Sequence, residues 1–171
     1  EADGRLWRNG TEVTPENNTE IVLPAGAWEY ICNVSETQNY TSASDSTIYI
    51  VNKRPTTLYL WINGSREDKY YLNKSHANFT VELFGYPGKV VELWTNYTDG
   101  QWKRWDFGAS PLENITQLTT VGTFNFTGNF SGDENYTASY ESWAVTVGTL
   151  SLEAKIEAFE PTSIRQGENS T

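Results

Sequence analysis

The chain predicts an all-β fold: tandem β-sandwich units, the first lacking strands, followed by a strand-forming tail. Three observations carry that expectation. The 171 residues are rich in Thr, Val, Ile, Tyr, Trp and Phe, contain no Met and are 14% aromatic, a profile of strands rather than helices. Short runs alternate apolar and polar residues and are separated by turn signals such as Asn63-Gly64, Tyr86-Pro87-Gly88 and Asp99-Gly100, which is the pattern of half-buried strands. Residues 26–51 also recur without a gap as residues 122–147, an offset of 96, so a strand-rich unit is present twice.

Along the chain, Leu6-Trp7-Arg8-Asn9-Gly10-Thr11 is matched by Leu93-Trp94-Thr95-Asn96-Tyr97-Thr98, and Asn17-Asn18-Thr19-Glu20-Ile21 by Asn114-Ile115-Thr116-Gln117-Leu118. Gly26, Trp28 and Tyr30 keep the spacing of Gly122, Phe124 and Phe126, and the closing strands Ile48–Val51 and Ala144–Val147 end the repeat. The second copy has further strand candidates at Thr57–Ile62, Phe79–Phe84 and Lys89–Trp94, spaced as in a β-sandwich. The first has no counterpart for roughly residues 57–92 and so lacks two strands. The expected division is an incomplete domain at 1–53, a complete one at 54–149 and a tail at 150–171. In that tail Leu150, Leu152, Ala154, Ile156 and Ala158 share one face, while Ser151, Glu153, Lys155 and Glu157 share the other. The tail follows the second closing strand as Leu58-Leu60-Ile62 follows the first. It is either an edge strand of its own domain, a truncated third repeat, or a strand donated to the gap in a neighbouring copy. Burying its apolar face is worth about 5–8 kcal/mol before the ordering cost.

Thirteen of the fifteen asparagines lie in Asn-x-Ser/Thr triplets without proline at x: Asn9, Asn17, Asn33, Asn39, Asn63, Asn73, Asn78, Asn96, Asn114, Asn125, Asn129, Asn135 and Asn169. Random placement gives about three, so the excess indicates N-glycosylation and an extracellular, cell-surface glycoprotein. A signal peptide is then expected to have preceded residue 1. On a strand, Asn and Ser/Thr share the solvent face while x faces inward. Six triplets fit that geometry with Tyr or Phe at x: Tyr40, Phe79, Tyr97, Phe126, Phe130 and Tyr136.

The net charge of −10 and the pI near 4.5 exclude nucleic acid as a natural partner, and no apolar run reaches membrane-spanning length. A single cysteine forbids an intramolecular disulfide framework; Cys32, in phase with Trp28 and Tyr30, reads as a small buried hydrophobe. The one histidine, His76, has no second ligand at metal spacing. Asp106, Glu113, Asp133 and Glu134 are carboxylates without a specific pattern, and the acidic turn Asp133-Glu134-Asn135 lacks the order of ligands of a known calcium loop. No catalysis, metal or cofactor is therefore expected beyond covalent glycans. Gln101–Phe107 is the longest insertion of the second copy, and its Trp102 and Trp105 are candidates for sugar stacking or a subunit contact, against the plainer role of packing over a sandwich edge.

Ser131-Gly-Asp-Glu-Asn-Tyr136 after an aromatic strand, with Asn39-Tyr40 in the first copy, resembles the bacterial immunoglobulin-like repeats of bacterial and archaeal surface proteins. The resemblance covers residues 54–149 best and 1–53 in part. It implies two tandem immunoglobulin-like sandwich domains serving as a stalk, adhesin or filament module. The sequon density is similar to that of archaeal surface filaments and S-layer proteins, some of which polymerise by donated strands. The resulting expectation is a structural subunit whose partners are copies of itself, with other surface glycoproteins or glycans as further partners. The alternative is a carbohydrate-binding or adhesive module of a longer repeat protein.

Overall fold

The computed structural model describes residues 3–150. Gly4–Arg8 (β1), Thr11–Glu12 (β2), Gly26–Val34 (β3) and Ala43–Val51 (β4) form one antiparallel sheet in the order β2-β1-β3-β4, with a 3₁₀ turn at Thr14–Glu16. Then come Leu58–Ile62 (β5), Lys69–Leu72 (β6), His76–Leu83 (β7), Val90–Thr95 (β8), Lys103–Ala109 (β9), Leu112–Gln117 (β10), Gly122–Phe130 (β11) and Ser139–Gly148 (β12). They make a three-stranded sheet, β10-β7-β5, and a five-stranded sheet, β6-β12-β11-β8-β9. This strand order is that of an immunoglobulin-like sandwich.

Alternation builds the sandwich core. Leu58, Leu60 and Ile62 on β5 and Ala77, Phe79, Val81 and Leu83 on β7 are buried, and they meet Phe126, Phe130, Val145 and Val147 from the facing sheet. Phe79 stacks on Phe126 with ring centroids 4.3 Å apart, and Trp105 closes the cluster 5.4 Å from Phe126. At Asn63-Gly64 both residues adopt positive φ, 48° and 78°, a conformation that Asn and Gly tolerate at little cost. The chain there leaves the three-stranded sheet, and β6 runs parallel beside β12 with Lys69 opposite Val145.

The sequence repeat is a repeat of register. Leu6 pairs with Cys32 and Trp7 with Ile31; Leu93 pairs with Gly128 and Trp94 with Thr127, the same partners at the offset of 96. The strands β3 and β11 begin at Gly26 and Gly122, with φ of 154° and 146°, a region open almost only to glycine. One expectation changes, and one sequence match does not extend to structure. Gln101–Phe107 is not a free insertion but the approach to β9 and most of that strand, whose counterpart in the first copy is the two-residue β2. Asn17–Ile21 is not a strand like its match β10, because β10 hydrogen-bonds to β7 and the N-terminal sheet has no equivalent of β7 to pair with.

The two units meet at residues 52–56. Arg54 N–H donates to Asn135 O at 2.9 Å, Thr137 N–H to Arg54 O at 3.0 Å, and Ala25 N–H to Asn135 Oδ1 at 2.9 Å. The β11–β12 loop thus clamps the segment that leads into β5.

Candidate functional site: an open apolar groove

In the sandwich, the five-stranded sheet is covered by β5, β7 and β10. Among the described residues no strand covers the same face of the N-terminal sheet, and only the segment from Glu16 to Leu23 borders it. The positions that would be core there are Leu6 on β1, Tyr30 and Cys32 on β3, and Thr47, Tyr49 and Val51 on β4. They line a groove of about 550 Å³, closed on one side by Ile21 and Leu23. Tyr49 is 58% exposed, whereas Val145, its counterpart on β12, is 0% exposed. The expectation that Cys32 is buried fails for the same reason: it has the inward phase of a core residue, but its thiol is exposed. Tyr30 and Tyr49 hold an edge-to-face contact at 5.6 Å inside the groove.

The floor is firm where the strands pair. Arg8 forms an ion pair with Glu16, its guanidinium lies over Trp28 at 5.7 Å from the ring centroid, and the Trp28 indole N–H donates to Pro24 O at 3.0 Å. The outer long edge of β4 carries no partner strand among the described residues, whereas β12 has β6 there. The site therefore offers unsatisfied backbone groups along one edge and apolar sockets across one face. That combination binds an extended, alternately apolar segment, and an unprotected edge of this kind is otherwise a liability.

Most of the triplet asparagines lie on the outside of this frame, but Asn17 lines the groove. Of the thirteen, all but Asn169 lie among the described residues, and none of those twelve is buried. Phe79, Tyr97, Phe126 and Phe130, the x residues of four triplets, are buried, while Tyr40 is exposed. Asn114 reverses the phase: its neighbour Ile115 is exposed, and the Asn114 amide N–H donates to Asp106 Oδ2 at 2.8 Å. Asn9 and Asn96 have a role that the triplets did not reveal. Asn9 Oδ1 accepts the Glu29 N–H at 2.8 Å and Asn96 Oδ1 accepts the Asn125 N–H at 2.9 Å, the same bond in both copies. In Asn9 the carboxamide nitrogen also donates to Ala27 O at 3.5 Å.

Trp102 and Trp105 do not form a paired platform. Trp102 is 51% exposed ahead of β9, but Trp105 packs inward on Tyr97, Phe79 and Phe126. Asp133 is taken up by its own turn: Oδ1 accepts the Asn135 and Tyr136 N–H groups and Oδ2 pairs with Lys89 at 2.5 Å. The Lys89 ammonium, helped by those N–H groups, holds this carboxyl below its ordinary pKa. His76 is exposed at the start of β7. No helix of the described residues is long and apolar enough to cross a membrane. Leu150 ends the described residues and is exposed; Leu152, Ala154, Ile156 and Ala158 lie outside them.

No protein-family model and no curated protein matches the chain. Among solved structures it is similar to the fibronectin(III)-like modules of Clostridium thermocellum CbhA, at 12% identity over 94% of this chain and 83% of that one, with a TM-score of 0.42. The immunoglobulin-like assignment rests instead on the strand order and register, which stand without that likeness.

Proposed function

We propose that the chain is a structural subunit of a heavily N-glycosylated extracellular filament or surface layer. Subunits join head to tail, the 150–158 strand of one entering the groove of residues 1–53 of the next. In this reading 1–53 is an incomplete domain, 54–149 a complete one and 150–171 the donor tail. The observation that carries it is the sheet face of residues 4–51, which has core phase and core residues but no covering strand. The tail is a natural occupant, alternating over nine residues in a chain whose own sandwich already holds its full set of strands. A donated strand makes a heterologous contact that does not close on itself, so the product is a fibre or a lattice rather than a dimer.

The function so read is mechanical rather than catalytic, and the sugars solvate what the subunit contacts leave bare. The test is electron microscopy and sedimentation of the full chain beside a form ending at residue 149. Polymers from the first and monomers from the second are expected. Monomers from both, with residues 150–158 protected from proteolysis on their own sandwich, would sink the proposal. The adhesive-module alternative draws on exposed Trp102 alone; loss of glycan binding on Trp102→Ala would favour it.

A further inference from the structure

The junction inside the chain describes the junction between chains. Resting on the strand-donation reading, we infer that the tail enters the groove in one register, with Ala154 over Cys32, fixed by the same offset of 96 that relates the two copies. At that offset Ala154 takes the place of Leu58, Ile156 that of Leu60 and Ala158 that of Ile62, all on the inward face.

Three independent matches support this register. The first is volume. In the sandwich Leu58 sits on Gly128, so tightly that a Cβ on that glycine would lie 2.8 Å from Leu58 Cδ2. The position equivalent to Gly128 is Cys32, and the residue the offset brings over it is alanine rather than leucine. The bulk has moved from one strand to the other. The second is a hydrogen bond. Glu141 Oε2 accepts the N–H of Leu60 at 2.6 Å. The equivalent of Glu141 is Asp45, which lines the groove, and the N–H brought to it is that of Ile156. The third is the clamp. Asn135 O accepts the N–H of Arg54 and Asn135 Oδ1 that of Ala25. The equivalents are Asn39 on the acceptor and Leu150 and Val121 on the donor. Tyr40, Leu150 and Val121 are all exposed in the single chain, as unmatched halves of one contact would be.

Cys32 is the chain's only cysteine, which makes the register directly readable. Full-length chains carrying Leu152→Cys, Ala154→Cys, Lys155→Cys, Ile156→Cys or Ala158→Cys are polymerised and treated with a mild oxidant. Ala154→Cys is expected to give a ladder of covalent multimers on a denaturing gel. Its neighbours on the same face should give at least about fivefold less, and Lys155→Cys, facing away, none. In the companion experiment Ala154→Leu should raise the concentration needed for assembly by about tenfold through overpacking. Cys32→Gly added to it, recreating the pair of Leu58 and Gly128, should restore assembly. A ladder strongest at another position, with Ala154→Leu harmless, overturns the register while strand donation stands. Absence of both ladder and polymer overturns the donation on which the register rests.

Discussion

Asn96 has one role that its hydrogen bond shows and another that the proposed glycosylation would give it, and the two can be separated. Its Oδ1 holds the Asn125 N–H of β11 at 2.9 Å, so it closes the end of β8 whether or not a sugar is attached. Thr98, the third residue of the same triplet, is needed only for glycosylation and is exposed. In protein made without glycans, Asn96→Ala should lose about 1 kcal/mol in chemical denaturation, while Thr98→Ala should leave stability within about 0.5 kcal/mol. Equal losses from both would show that the hydrogen bond contributes nothing. Gly128 bears on packing at the same scale. Its Cα faces Leu58 and Val81 so closely that Gly128→Ala should cost about 1–3 kcal/mol by overpacking. Cys32→Ala, at the equivalent open position, should change the unassembled chain by less than about 0.5 kcal/mol. Denaturation of the two variants side by side checks the contrast.

Among the elements, β3, β4, β11 and β12 were legible because aromatic residues in phase recur at a fixed offset, and phase is what a strand displays. β6 was not, because Glu67-Asp68-Lys69-Tyr70 has no alternation; that strand forms through a turn at Asn63-Gly64 and the edge of β12, both long-range facts. β9 was read as an insertion since its counterpart had shrunk to two residues. Cys32 was assigned the right face and the wrong exposure, because phase predicts orientation but not whether anything lies opposite. The groove itself was legible only as an absence, the missing counterpart of residues 57–92. How β5 is tied to its neighbour gives a pH prediction. Burial raises the Glu141 carboxyl pKa, but the Arg66 guanidinium, at 2.5 Å, and the Leu60 N–H outweigh it, so the pKa lies below the ordinary value. A depressed carboxyl stabilises the fold above its unfolded pKa of about 4.3, and that contribution fades as pH falls through the folded value. Glu141→Gln should therefore be less stable than the parent by about 1 kcal/mol at pH 7 after allowing for solvent screening. The two should converge as pH drops below about 4. Melting curves taken between pH 7 and pH 3 decide it; a constant gap would show that the charge is not involved.

For the whole molecule, the two units should differ in how firmly they hold when no second chain is present. The sandwich has a closed core from Leu58 to Val147, whereas in the N-terminal sheet Val13 alone is a buried hydrophobic residue among those described. Amide exchange in an unassembled chain ending at residue 149 should accordingly be fast along β3 and β4 and slow along β7 and β11, since opening free energy follows buried apolar contact. On the proposed strand donation, a peptide of residues 150–160 would supply the missing strand without allowing growth. At a hundredfold excess over its dissociation constant it should stabilise the N-terminal unit by about 2.7 kcal/mol and slow exchange there about a hundredfold. The sandwich should be unaffected, and uniform protection of both units would mean that the peptide binds elsewhere. Charge acts on the same equilibrium from outside. At a net charge of −10, subunits repel one another across any joint, so assembly of the full chain should strengthen as salt is raised from 0.01 M to 0.15 M. The Debye length falls over that range from about 30 Å to about 8 Å. Light scattering across it tests the point, and polymers that instead dissolve as salt rises would indicate a joint held by ion pairs rather than by a buried strand.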